Sequence, residues 1–161
     1  MSTVLQDIVE KKHYKFIDGA GLTWQEAVKI STESLIADGS VSEDFYKQII
    51  ACIEKYGPYM VFEHNVAMPH TTENAEGVYK TGIGFMVCKN LIDFGTDEDG
   101  EKKEANLFFT LCSANPTEHM NNIQQLANIF QNEELLDALV EAKTPEDILE
   151  AEMKYPCEEE D

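Results

Sequence analysis

The chain contains no arginine. All 12 basic residues are lysine, set against 31 acidic ones in 161 residues, for a formal net charge of −19. So acidic a surface repels phosphate backbones and lacks the cations that counterion release requires, which excludes nucleic acid and anionic membrane as partners. It suits neutral or basic partners, and it serves solubility equally well. No apolar run approaches the roughly 20 residues of a membrane span, and the N-terminus has no basic region followed by an apolar stretch. A cytoplasmic protein without membrane insertion is expected. The 4 cysteines form no CxxC pair and are expected to be reduced thiols in mostly apolar surroundings. The absence of G-x-S-x-G argues against a hydrolytic triad. A zinc site assembled from His64, His70, His119 and a cysteine is disfavoured because no pair has ligand spacing such as HxxxH. Neither metal nor cofactor is expected.

What the chain does have is 43% apolar content, enough for one domain with a real core. Val4, Leu5, Ile8 and Val9 lie at helical spacing, with His13 expected to end that helix, and Tyr14 to Ile17 reads as a strand. Thr23 to Glu26 has capping-box form and predicts one helix as far as Asp38-Gly39. Ser42 is expected to cap the next, which carries Phe45, Ile49, Ile50 and Ile53 and stops at Gly57-Pro58. Strands are then predicted at Tyr59 to Phe62, Val66 to Met68, Thr81 to Cys88 and Ala105 to Cys112. The acidic stretch at 97–103 lacks the distal glutamate of a calcium loop and reads as a solvated turn. Asn115-Pro116-Thr117-Glu118 opens a further helix with an N-cap and proline at its first position. Two shorter helices follow, at Glu133 to Glu141 and Pro145 to Met153. The fold class is α/β: a single domain over 1–155, a mixed sheet with helices on both faces, and a disordered acidic tail over 156–161.

Two segments carry chemistry. Pro69 restricts the backbone entering His70, directly after a short apolar strand, so the imidazole is presented with little freedom. A neutral imidazole can accept and return a phosphoryl group, provided one ring nitrogen is unprotonated and the other donates its proton. Anionic phosphoryl oxygens need donors, and without arginine the candidates are Thr71, Thr72, backbone N–H groups, His119 and the start of the helix near Asn115. The helix dipole favours a neutral His119. From pattern alone His70 fits equally a loop histidine with a structural hydrogen bond, and His119 a surface helix residue. His64 lies close in sequence to the same site, and Lys55 is an available cation. Met60, Phe62, Met68 and Met120 are candidates for an apolar rim, or else for core packing.

Together these residues resemble a known family, the enzyme IIA components of the bacterial sugar phosphotransferase system in the mannitol and fructose superfamily, with the ascorbate-type subgroup nearest. The resemblance rests on Gly57-Pro58-Tyr59-Met60-Val61, Val66-Ala67-Met68-Pro69-His70, Gly77-Val78, the strand Thr81 to Val87, and His119 with Leu126. It implies an approximately five-stranded mixed sheet. It also implies that His70 takes a phosphoryl group from the phosphohistidine of the carrier HPr and passes it to a cysteine of a cognate enzyme IIB, which serves uptake of ascorbate or a related sugar through enzyme IIC. His119 matches the second histidine of such sites. The chain departs from the pattern with Thr71-Thr72 in place of Ala-Arg, with Asn115 in place of an acidic residue, and with no arginine near Glu54-Lys55. A regulatory phosphohistidine module of the same fold, uncoupled from transport, is the alternative. The oligomeric state stays open, a homodimer included.

Overall fold

The computed structural model describes residues 2–71 and 75–157. Its elements are α1 (Val4–Glu10), β1 (Tyr14–Ile17), α2 (Trp24–Ser31), α3 (Glu33–Ala37), α4 (Phe45–Tyr56), β2 (Val61–Phe62), β3 (Val66–Ala67), β4 (Gly82–Thr96), β5 (Lys102–Cys112), α5 (Pro116–Phe130), α6 (Glu133–Val140) and α7 (Pro145–Lys154). Reciprocal capping boxes at Thr3 with Gln6, Thr23 with Glu26 and Thr144 with Asp147 satisfy free N–H groups at three helix starts.

Four local expectations are corrected. The helix expected to run unbroken to Asp38 divides at Thr32, where the Ser31 hydroxyl donates to the Val28 carbonyl and the Thr32 hydroxyl to the Lys29 carbonyl. Such back-bonding competes with the helical ladder. Ser42 does not cap α4; its N–H donates to the Gly77 carbonyl instead. His13 lies past the end of α1, buried, with Nε2 2.5 Å from an Asp38 carboxylate oxygen. Burial pushes the Asp38 carboxyl up, but hydrogen bonds from Ser40 and His13 outweigh it and hold the group below its ordinary value. Lastly, β4 and β5 extend into the charged stretch as a hairpin ribbon, closed by the Asp97 carboxylate accepting from the N–H groups of Asp99 and Glu101. The predicted turn is there, but shorter.

The sheet order is β1-β4-β5-β3-β2. β1 runs parallel to β4 and β3 parallel to β5, while β4 with β5 and β2 with β3 are antiparallel. The sheet is therefore mixed and five-stranded, as expected. Side chains alternate across it with the period of two that a strand imposes. Phe85, Val87, Leu107, Phe109 and Leu111 pack under α1, α5, α6 and α7. Met86, Cys88, Phe108 and Cys112 face α2, α3 and α4. Gly84 lets α2 approach closely, since a Cβ there would lie 3.3 Å from the Ser31 carbonyl. Two apolar clusters thus sit on opposite faces of one sheet. The expected acidic tail falls partly on residues 158–161, which lie outside the described residues.

Candidate functional site

Because β3 and β5 are parallel neighbours, the segments leaving their C-terminal ends emerge on the same edge of the sheet. Open α/β sheets bind ligands at that edge. After β3 comes Met68-Pro69-His70, tied down by two backbone bonds: the Leu111 N–H donates to the Pro69 carbonyl at 2.8 Å and the Met68 N–H to the Met60 carbonyl at 2.9 Å. After β5 the chain turns through Asn115 into α5, with His119 in its first turn. Topology therefore delivers both histidines to one place from 49 residues apart in sequence.

His70 is half-buried, and its Nδ1 lies 2.6 Å from the Met68 carbonyl oxygen. A carbonyl only accepts, so Nδ1 carries the hydrogen and donates it. In the neutral ring Nε2 is then left with its lone pair. The Tyr59 ring stands edge-on to the imidazole, with centroids 5.7 Å apart and planes at 89°. Burial, and then the charge of His70, depress the pKa of His119 below its ordinary 6.5. His119 is thus a neutral ring at neutral pH, and its Nδ1 is buried with no partner among the described residues.

The start of α5 differs from expectation. The Asn115 side chain accepts from the N–H groups of Thr117 and Glu118 at 2.9 and 3.1 Å, and Thr81 Oγ1 accepts from those of Ala114 and Asn115. Pro116 has no N–H, and that of His119 donates to the Asn115 carbonyl. The backbone donors at the start of α5 are therefore already engaged, which leaves the His119 side chain as the group this turn has to offer an anion.

Other candidate residues scatter. Thr71 follows His70 and is half-buried, and Thr72 lies outside the described residues. Lys55 is exposed on α4, with its ammonium 5.2 Å from the centroid of the Tyr56 ring. His64 sits in the β2–β3 turn, at φ 69°, with Nε2 2.6 Å from an Asp137 oxygen on α6. It engages α6 and none of the His70 group. Of the expected rim, Met60 is buried core, whereas Met120 is exposed beside His119. Tyr56 and Tyr59 are exposed large side chains at the other flank, and neither was among the residues expected at the rim. Two clefts, about 300 Å³ between α1 and α5 and about 480 Å³ beside His64, contain neither His70 nor His119. An imidazole on open ground with aromatic and thioether neighbours suits a protein surface more than a small molecule. Among the described residues no three His, Cys, Asp or Glu side chains converge as a metal-binding set.

Fold and paired histidines together define an α/β phosphotransferase that works through a histidine. Residues 8–152 match the family described as the phosphoenolpyruvate-dependent sugar phosphotransferase system, EIIA 2, and the chain belongs to that family. The ascorbate-specific EIIA component of Escherichia coli (strain K12) is 33% identical over 129 residues, 80% of this chain and 81% of that protein. The mannitol-specific cryptic phosphotransferase enzyme IIA CmtB of Escherichia coli superposes with a TM-score of 0.78 at 26% identity, covering 92% and 97% of the two chains. The crystal structure of IIA mannitol from Escherichia coli gives 0.70 at 26% identity, covering 87% and 96%.

Proposed function

We propose that His70 is the phosphorylated residue, that it accepts through Nε2, and that the chain carries phosphoryl groups from phospho-HPr to a cysteine of its cognate enzyme IIB in the cytoplasm. The observation that carries this reading is the bond between His70 Nδ1–H and the Met68 carbonyl. It fixes the tautomer in which Nε2 is the nucleophile and holds the ring in place for an in-line approach. The Nε2 lone pair attacks the phosphorus of the donor phosphohistidine. The donor P–N bond breaks, and its electron pair returns to the donor imidazole. The ring of phosphorylated His70 gains positive character, which the Met68 carbonyl stabilises through Nδ1–H. A cysteine thiolate of enzyme IIB then attacks phosphorus, and the electron pair of the P–N bond returns to Nε2. Neutral His119 donates a hydrogen bond to the phosphoryl oxygens, assisted by the hydroxyls of Thr71 and Thr72. Such transfer needs positioning and electrostatics more than covalent machinery.

Likeness to ascorbate-specific relatives supports ascorbate or a related sugar as the transported substrate. Incubation with phosphoenolpyruvate, enzyme I and HPr is expected to add one acid-labile phosphate, and His70→Gln to abolish it. Passage of that label to an enzyme IIB cysteine separates transport from a purely regulatory role. A wild-type chain that stays unlabelled defeats the proposal.

A further inference from the structure

We infer that Tyr59 is a positioning residue for His70: its aromatic ring, not its hydroxyl, holds the imidazole plane so that the bond to the Met68 carbonyl persists. The inference rests on the reading of His70 as the phosphoryl acceptor. One hydrogen bond fixes the distance of Nδ1 from an acceptor but leaves the ring free to tilt about that contact. A second contact restrains the tilt, and the Tyr59 ring, edge-to-face with the imidazole at 5.7 Å and 89°, supplies it. Edge-to-face geometry is a favoured arrangement of aromatic rings at this separation.

The tyrosine is itself held. Gly57 ends α4 at φ 81°, where a side chain would be strained, and the Tyr59 N–H donates to the Gly57 carbonyl at 2.9 Å, folding the chain back. Its ring meets the Tyr56 ring at the end of α4, at 6.0 Å and 86°. Burial, then the neighbouring Cys52 and Tyr56, push the phenol pKa above its ordinary value, so the hydroxyl remains neutral. Among the described residues the His70 ring is hydrogen-bonded to the Met68 carbonyl and not to this hydroxyl, so the contact with Tyr59 is through the ring. The two grips also share one frame. The Met68 N–H donates to the carbonyl of Met60, the residue next to Tyr59, so ring contact and carbonyl move together.

The test compares Tyr59→Phe, Tyr59→Leu and Tyr59→Ala in the full-length chain, with amide spectra to check folding. Two readouts are taken: the His70 tautomer from ¹⁵N shifts, and the single-turnover rate of labelling by phospho-HPr. Tyr59→Phe is expected to keep the wild-type tautomer and rate. Tyr59→Leu and Tyr59→Ala are expected to populate the opposite tautomer, with hydrogen on Nε2, and to slow labelling at least tenfold, the order expected when a reacting group is misplaced. A merely structural role would let Leu rescue and would leave the tautomer unchanged. A single wild-type tautomer in Tyr59→Ala, or loss of it in Tyr59→Phe, overturns the inference. If the wild type takes no label, the proposed function falls, while the tautomer readout still decides the role of Tyr59.

Discussion

Main-chain geometry is what equips His70 for the role proposed for it, through the bond from its Nδ1 to the Met68 carbonyl. Its neighbour His119 is defined by what it lacks among the described residues, a partner for its buried Nδ1. Its pKa is depressed by burial and then by the charge of His70, so the unfolded chain binds the proton more tightly than the folded one. This stabilising contribution is complete above pH 6.5 and is lost as pH falls through the lower folded value. Urea midpoints measured from pH 7.5 to 5 are expected to fall with pH, and His119→Asn to flatten the fall. The cysteines give a second residue-level outcome. Burial pushes Cys88 and Cys112 up to about 12, whereas Cys52 and Cys157 are partly accessible. A thiol reagent at pH 8 is expected to modify Cys52 and Cys157 in the native protein, and Cys88 and Cys112 only after denaturation. At this scale the sequence was legible for the held backbone at His70, because Pro69 announces it. It was not legible for Tyr59 or the Met68 carbonyl, since no residue pattern records which atom a ring will lean on.

Among elements, α5 is placed by its start. Replacing Asn115 with Ala leaves the N–H groups of Thr117 and Glu118 without their acceptor, and a loss of about 1 kcal/mol in urea denaturation is expected. Phosphoryl transfer is expected to slow as well, because the same turn carries His119. Gly77→Ala sets a Cβ 2.2 Å from the Ser42 hydroxyl at φ 73°, and a loss of roughly 1–3 kcal/mol is expected, only partly recovered by Ser42→Gly. Capping residues made the helix starts readable, as at Thr23 and Asn115. The division of α2 from α3 escaped because Ser31 and Thr32 look like ordinary helix residues until their hydroxyls are seen bonding backward. The length of the β4–β5 ribbon escaped because its outer half is half-exposed and charged. Cross-strand pairing carries it there, with only Ile92 and Phe94 of outer β4 turned into the core.

Taken whole, the molecule carries a net charge of −19 without a single arginine. Association with a basic donor protein is therefore expected to slow roughly tenfold between low and physiological salt, while the transfer step within the complex is unchanged. Stopped-flow mixing against single-turnover chemistry separates the two. The architecture was legible because alternating apolar residues and a late pair of helices leave few ways to cover a sheet twice. The meeting of His70 with His119 was implied only by the family resemblance, since from the residues alone it depends on β3 and β5 lying side by side in parallel, a pairing between strands some 40 residues apart. His70, the proposed nucleophile, stands on the seam between two cores. Cys52 and Met60, behind Tyr59, belong to the cluster around α4, and Leu126 and Ile129, behind His119, belong to the opposite one. Catalytic competence is thus a conjunction of both halves, and on warming, the loss of labelling should report whichever half softens first, ahead of any global melt.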